Sequence, residues 1–187
     1  MHLLNTATLK NISGSPIALS QEPVTAFGIG PQSGRYYISY LDCQVNVLDP
    51  ATLQDVAGSP VKVYSTLIIL PSDEQVFYTR TPELAMINAQ TFAIEKTVDF
   101  DLYGLEAGLF YPHFITPDNS LIFIAGTDPN TNDQIIKVFN AATLEVVDWS
   151  PWAGQTKQIL DMLIAPDGTR MYALTGDGDL CGLDPYI

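Results

Sequence analysis

A chain of 187 residues in which 47% are apolar is long enough to bury a real core and too apolar to stay disordered. Against 21 Asp and Glu it carries only 8 Lys and Arg, and the formal charge of −13 repels phosphate backbones and anionic lipid, which argues against nucleic acid as a partner. The opening "MHLLNTATLK" lacks the charged start and apolar stretch of a secretory signal, and no 18-residue apolar run marks a membrane span or membrane insertion.

Taken in chain order, the first feature is a phrase that returns. Residues 4–17 read "LNTATLKNISGSPI" and residues 48–61 read "LDPATLQDVAGSPV", with seven of fourteen letters kept. Shorter copies follow as "INAQTF" from Ile87, "FNAATL" from Phe139 and "LDP" from Leu183. A second phrase runs in step with it. Pro31, Pro71, Pro117 and Pro166 each follow an apolar run and precede a small polar cluster, then an aromatic or β-branched run. That order predicts strand, turn, strand, because Pro presets φ and the small residues supply hydrogen bonds or positive φ. The Asp or Asn of the first phrase lies 18, 17, 23 and 18 residues after the preceding proline, so both phrases belong to one unit of 39 to 52 residues.

Each unit holds four short strands. In the first they are expected at Val24–Ile29, Arg35–Tyr40, Gln44–Leu48 and Val56–Val63, and "RYYISY", "QVFYTR" and "SLIFIAG" carry the Tyr, Ile, Phe and Val enrichment of strands. No stretch shows a helical apolar period, and the two glycines of "LYGLEAGLF" from Leu102 favour a loop there. Four antiparallel strands repeated about every 45 residues describe an all-β β-propeller, whose blades bury both faces by stacking. The blades are expected at 20–63, 64–100, 101–153 and 154–187 within a single repeat array, 1–187. The innermost strands include a column of Phe27, Leu67, His113 and Met162.

"ITPDNSLIFIAG", "IAPDGTRMYALT" and "VNVLDPATLQDVAGSPVKV" resemble the YVTN-type β-propeller repeat of bacterial and archaeal surface and secreted proteins. The resemblance covers almost the whole chain. It departs from the pattern at "PSDEQ" in the second unit and at the "TDPNTND" insertion in the third, both in turns. The double glycine of kelch blades and the Gly-His to Trp-Asp pairing of tryptophan–aspartate repeat blades are missing. What the resemblance implies is a cell-surface or extracellular setting and either an interaction scaffold or a lactonase-like, phosphogluconolactonase-type hydrolase, since one fold serves both.

Candidate site residues are few. His113, among core apolar residues of an inner strand, is expected to be at least half buried; facing a central channel it would act as an acid or base near neutral pH, whereas the structural reading is a hydrogen-bonded core histidine. Asp161, beside Met162, is the other polar residue on an inner strand, and the two are the candidate channel ligand-binding residues. No motif carries the catalytic His, Glu and Arg of lactonase-like propellers onto numbered positions here, so no catalytic residue is assigned. The insertion Asp128, Asn130, Asn132, Asp133 starts like a calcium loop, but it lacks the sixth-place glycine and has Phe139 where a bidentate Glu would close the site. It reads as a turn, as does "GDGDL" from Gly176, and no cofactor or metal is expected. Asn11 and Ser13 form an Asn-x-Ser sequon, meaningful in a eukaryotic secretory setting. Cys43 and Cys181 have neither zinc nor redox spacing, and their pairing is left open. Trp149 and Trp152 are expected beyond an outer strand, plugging the gap between blades, with an exposed aromatic patch for a ligand as the alternative.

The expected function is therefore a noncatalytic propeller module presenting loops to a protein or glycan partner, with the lactonase-like hydrolase as the alternative. Because "LLN" at the start and "GLD" at the end compete for one strand, the chain is expected to be part of a larger propeller, an open arc with apolar end faces that self-associates. Closure would instead place residues 12–19 beside residues 180–185.

Overall fold

The computed structural model describes residues 2, 7–11, 14, 16, 22–30, 33–62, 67–69, 75–80, 82–99, 104–105, 113–147, 152–155, 158–165 and 167–183. Among them are strands and turns and no helix. The strands form four antiparallel sheets, each a meander in chain order. Sheet 1 contains β1 (Val24–Ile29), β2 (Tyr36–Tyr40), β3 (Gln44–Leu48) and β4 (Val61–Lys62). Sheet 2 contains β5 (Leu67–Ile69), β6 (Gln75–Arg80), β7 (Glu83–Asn88) and β8 (Ile94–Asp99). Sheet 3 contains β9 (His113–Ile115), β10 (Leu121–Thr127), β11 (Gln134–Asn140) and β12 (Trp152–Gln155). Sheet 4 contains β13 (Ile159–Ile164), β14 (Met171–Thr175) and β15 (Leu180–Leu183). The proposed strand for residues 12–19 lies outside the described residues, save Gly14 and Pro16.

In the first, third and fourth units the described residues show how the opening hairpin closes. The amide before the proline donates to the carbonyl four residues after it: Gly30 to Arg35, Thr116 to Leu121 and Ala165 to Arg170, at 2.8–2.9 Å. Closing so tight a reversal needs one left-handed residue. Gly34, Asn119 and Gly168 supply it, with φ of 69°, 60° and 73°.

The third and fourth strands meet at a second repeated turn. Asp49, Asn88 and Asn140 each donate their amide five residues on and accept one from four residues on, at 2.8–3.0 Å. The residue that turns left-handed is large and apolar in every case: Leu53 (φ 58°), Phe92 (φ 57°) and Leu144 (φ 56°). A left-handed non-glycine residue costs roughly 1–2 kcal/mol. Burying a leucine side chain returns roughly 1.5–3 kcal/mol, and Leu53 and Leu144 are buried.

Two expectations about outer strands are corrected. The fourth strand of the first unit is not continuous over Val56–Val63; a single bridge joins Leu48 to Asp55, the chain leaves the ladder, and β4 rejoins opposite Gln44 and Val45. Pro60 has no N–H to give, and Gly58 takes φ of 89°. The Ser59 hydroxyl steps in for a backbone carbonyl and accepts the Val47 amide at 2.9 Å. In sheet 3 Phe139 likewise bridges Val146, and β12 pairs with β11 opposite Ile136 and Gln134. Trp152 thus opens the outer strand and does not lie beyond it. Sheet 2 has no proline at this place, and β8 runs unbroken.

The sheets stack face on face. Call the face toward the preceding sheet the leading face and the other the trailing face. Tyr37, Val45 and Val47 of sheet 1 pack against Val76, Tyr78, Ala85 and Ile87 of sheet 2. The opposite face of sheet 2, with Phe77, Leu84 and Met86, packs against Ile122, Ile124, Ile135 and Phe139 of sheet 3. Sheet 3 in turn sets Phe123, Ala125, Ile136 and Val138 against Ile159, Met162, Met171 and Ala173 of sheet 4. Leu105, from the stretch expected to be a loop, fills the second junction. The first strands also adjoin in order, β1 beside β5, β5 beside β9 and β9 beside β13.

Candidate functional site

The inner column of first strands carries both candidate residues. His113 opens β9 half-buried and lies directly opposite Ile124, on the leading face of sheet 3. Asp161 lies opposite Leu174, just past a register shift between Ile159 and Asp161. It is exposed, and its Oδ1 accepts the Met162 amide at 2.8 Å. Because Leu174 alternates with buried Ala173, the register assigns Asp161 to the trailing face of sheet 4, away from sheet 3. The two side chains belong to faces that point apart and do not form one site. The column itself holds for three members: Phe27, His113 and Met162 each pair with the residue seven after the unit's proline, whereas in sheet 2 that partner, Tyr78, faces Ile68 and Leu67 faces Thr79.

The oxygen-rich turns spend their acceptors on their own backbone. Asp49 Oδ1 accepts the amides of Ala51 and Thr52 at 2.9 and 2.8 Å and the Thr52 hydroxyl at 3.1 Å. Asn88 and Asn140 accept two amides each in the same way. Asp118 accepts the hydroxyls of Thr116 and Ser120 and the Ser120 amide. Asp167 accepts the amide and hydroxyl of Thr169. Donors aimed at a carboxylate favour its charged form. The Thr52 amide accordingly leads in holding Asp49 below the ordinary aspartate value, the Thr116 hydroxyl does so for Asp118 and the Thr169 amide for Asp167.

The Asp128–Asp133 insertion is built like the Asp49 turn. Its Asp128 amide donates to the Asp133 carbonyl, Asn132 donates back to Asp128 at 2.8 Å with φ of 61°, and Asp128 Oδ1 accepts the Asn130 amide at 2.8 Å. The "GDGDL" stretch is a hairpin turn in which the Thr175 amide donates to the Asp179 carbonyl and Gly178 is left-handed. No group of three or more His, Cys, Asp or Glu among the described residues is close enough to hold a metal ion. Cys43 and Cys181 are both free thiols, the first in the β2–β3 turn and the second on β15 at the junction of sheets 3 and 4.

A cavity of about 20 Å³ lies between sheets 1 and 2, walled by Tyr37, Val47, Val76, Tyr78, Ile87 and Phe92 among others. That is room for about one water and no polar wall to hold it, so it is a packing gap and not a ligand site. Two features escaped the sequence reading: the left-handed apolar residue of the second turn and the Ser59 hydroxyl. The first left a signal, an apolar residue four places after the Asp or Asn at Leu9, Leu53, Phe92 and Leu144. Comparison with protein-family models and with curated proteins returned no match for this chain.

Proposed function

We propose that the four sheets are blades of a β-propeller-type array and that the chain is a noncatalytic interaction scaffold, presenting its rigid turns to a protein or glycan partner. The observation that carries the reading is the stacking of consecutive sheets through both faces, with first strands adjoining in chain order. Such an array is a rigid frame that holds surface turns at fixed spacing. The commitment of Asp49, Asn88, Asp118, Asn140 and Asp167 to backbone donors supports it, because these groups stiffen the turns that carry them. The separation of His113 from Asp161 by facing weighs against an acid–base pair in the column. Incubation of the purified chain with a panel of sugar lactones is expected to give hydrolysis at background. Turnover that disappears in His113→Ala would replace the scaffold by a lactonase-like hydrolase.

A further inference from the structure

We propose that β8, the outer strand of sheet 2, is a docking edge on which an extended basic segment of a partner protein adds as a further strand. The inference names a partner class for the scaffold reading and rests on that reading.

An edge strand presents a row of backbone donors and acceptors that invites another strand, and proteins guard such rows with short strands, prolines, bulges or a lysine. The outer strands of the neighbouring sheets are guarded in this way. β4 is two residues long and follows Gly58 and Pro60, and β12 is four residues long with a register shift where it meets β11. β8 has six residues with neither Pro nor Gly, and no described strand pairs with its outer side. Its one register shift lies near Ile94, and from Lys96 to Asp99 it pairs residue for residue with Met86 to Glu83. Ile94, Glu95, Lys96 and Thr97 are all exposed. Sheet 2 has a neighbour on both faces, so among the described residues its outer edge is the part left open.

The charged residues of β8 do not block that edge. Lys96 turns over the trailing face, where its Nζ donates to the Thr143 carbonyl of sheet 3. Glu95 accepts the side-chain amides of Asn88 and Gln75 at 2.9 and 3.4 Å, neutral donors that leave its charge standing. Both side chains are tied back to their own molecule.

Charge then selects the partner. Register sets Arg80, Glu83 and Asp99 side by side across β6, β7 and β8, one basic residue to two acidic ones. A strand laid outside β8 places one of its residues directly opposite Asp99 on the same face. Lys or Arg there evens the row, because opposite charges across strands stabilise and like charges do not. Glu95 calls for a second cation further along, and Ile94, 55% exposed, for an apolar neighbour. At −13 the whole chain attracts such a segment and repels a second copy of itself.

The probe is the capped peptide acetyl-Thr-Lys-Val-Thr-Thr-Lys-Val-Thr-amide, whose antiparallel docking sets its lysines opposite Asp99 and Glu95. Titrated into the isotope-labelled 187-residue chain, it is expected to shift the amides of β8. Exchange slows at alternate residues of Lys96–Asp99, those whose amides point outward, and stays as it was in β10 and β11. Two versions N-methylated at every second residue, in one phase or the other, keep the charge and the side chains. One phase removes the donors that face β8 and binds at least about tenfold more weakly, by the loss of two or more hydrogen bonds, whereas the other binds as the parent does. Glutamate in place of both lysines abolishes binding, and Asp99→Asn in the protein weakens the parent peptide about threefold at low salt. Equal binding of the two methylated peptides overturns the proposal. So do binding of the glutamate peptide, protection away from β8, absence of binding, or self-association of the chain through β8. Each of these outcomes leaves the scaffold reading standing, whereas lactone turnover lost in His113→Ala removes that reading and leaves the peptide result untouched.

Discussion

Leu53, Phe92 and Leu144 occupy a backbone conformation that leucine and phenylalanine avoid, and the same turn in each unit requires it. The strain is offset where the side chain is buried and not where it is exposed. Leu144, 1% exposed in the junction of sheets 2 and 3, is expected to lose about 2–5 kcal/mol of stability on substitution by alanine, by lost transfer energy and the cavity left behind. The identical change at Leu9 is expected to move stability by less than about 0.5 kcal/mol in dilute protein, where the residue is exposed. Urea unfolding of both variants checks the contrast.

The turn aspartates set the acid limit. Asp49, Asp118 and Asp167 all have folded values lowered by the donors around them. A group with a lowered folded value contributes stability that is present above its unfolded value and is lost as pH falls through the folded one. The melting temperature is therefore expected to fall as pH is taken below about 4, where aspartates of the unfolded chain protonate. Asp118→Asn, which cannot titrate, is expected to show a shallower acid limb than the unsubstituted chain. Parallel limbs would contradict this.

At the scale of the element, the outer strand is where the ladder is most easily broken. In sheet 1 the Ser59 hydroxyl accepts the Val47 amide and donates to Asp55 Oδ1 at 2.7 Å, and the Asn46 side-chain amide donates to the same oxygen. Ser59→Ala leaves the Val47 amide without that acceptor, at a cost of about 1–3 kcal/mol. Amide exchange at Val47 is expected to speed up while that of residues in β6 and β7 stays as it was. The inner hairpins were legible in the sequence because their signals are local: Pro-Asp-Gly before Thr169 states the turn outright, and the Tyr, Ile and Phe runs state the strands. The outer strand was not, because its bonding depends on one hydroxyl reaching across from Ser59, and no period in the letters records that. The Asp128 insertion was legible as a turn, but its likeness to the Asp49 turn was not, because it lacks the Thr-Leu that marks the phrase.

At the scale of the molecule, alternation along the strands told which residues leave a sheet on which side, but not which sheet meets them. Leu174 and Phe77 read alike in sequence; one is exposed and the other buried because a following sheet covers only the second. His113 and Asp161 were legible as polar residues on inner strands, whereas their opposite facing depends on register and on the irregularity before Asp161. Such an array is held together by contacts between neighbours, and sheets consecutive in the chain are the ones that touch. Methyl–methyl Overhauser spectra of the dilute chain test this most directly. The stacking predicts cross-peaks joining Val45 and Val47 to Val76 and Ile87, Leu84 and Met86 to Ile122 and Ile124, and Ile136 and Val138 to Met171 and Ala173. Cross-peaks joining Val45 or Val47 to Ile122 or Ile124 in place of those between sheets 1 and 2 would contradict it.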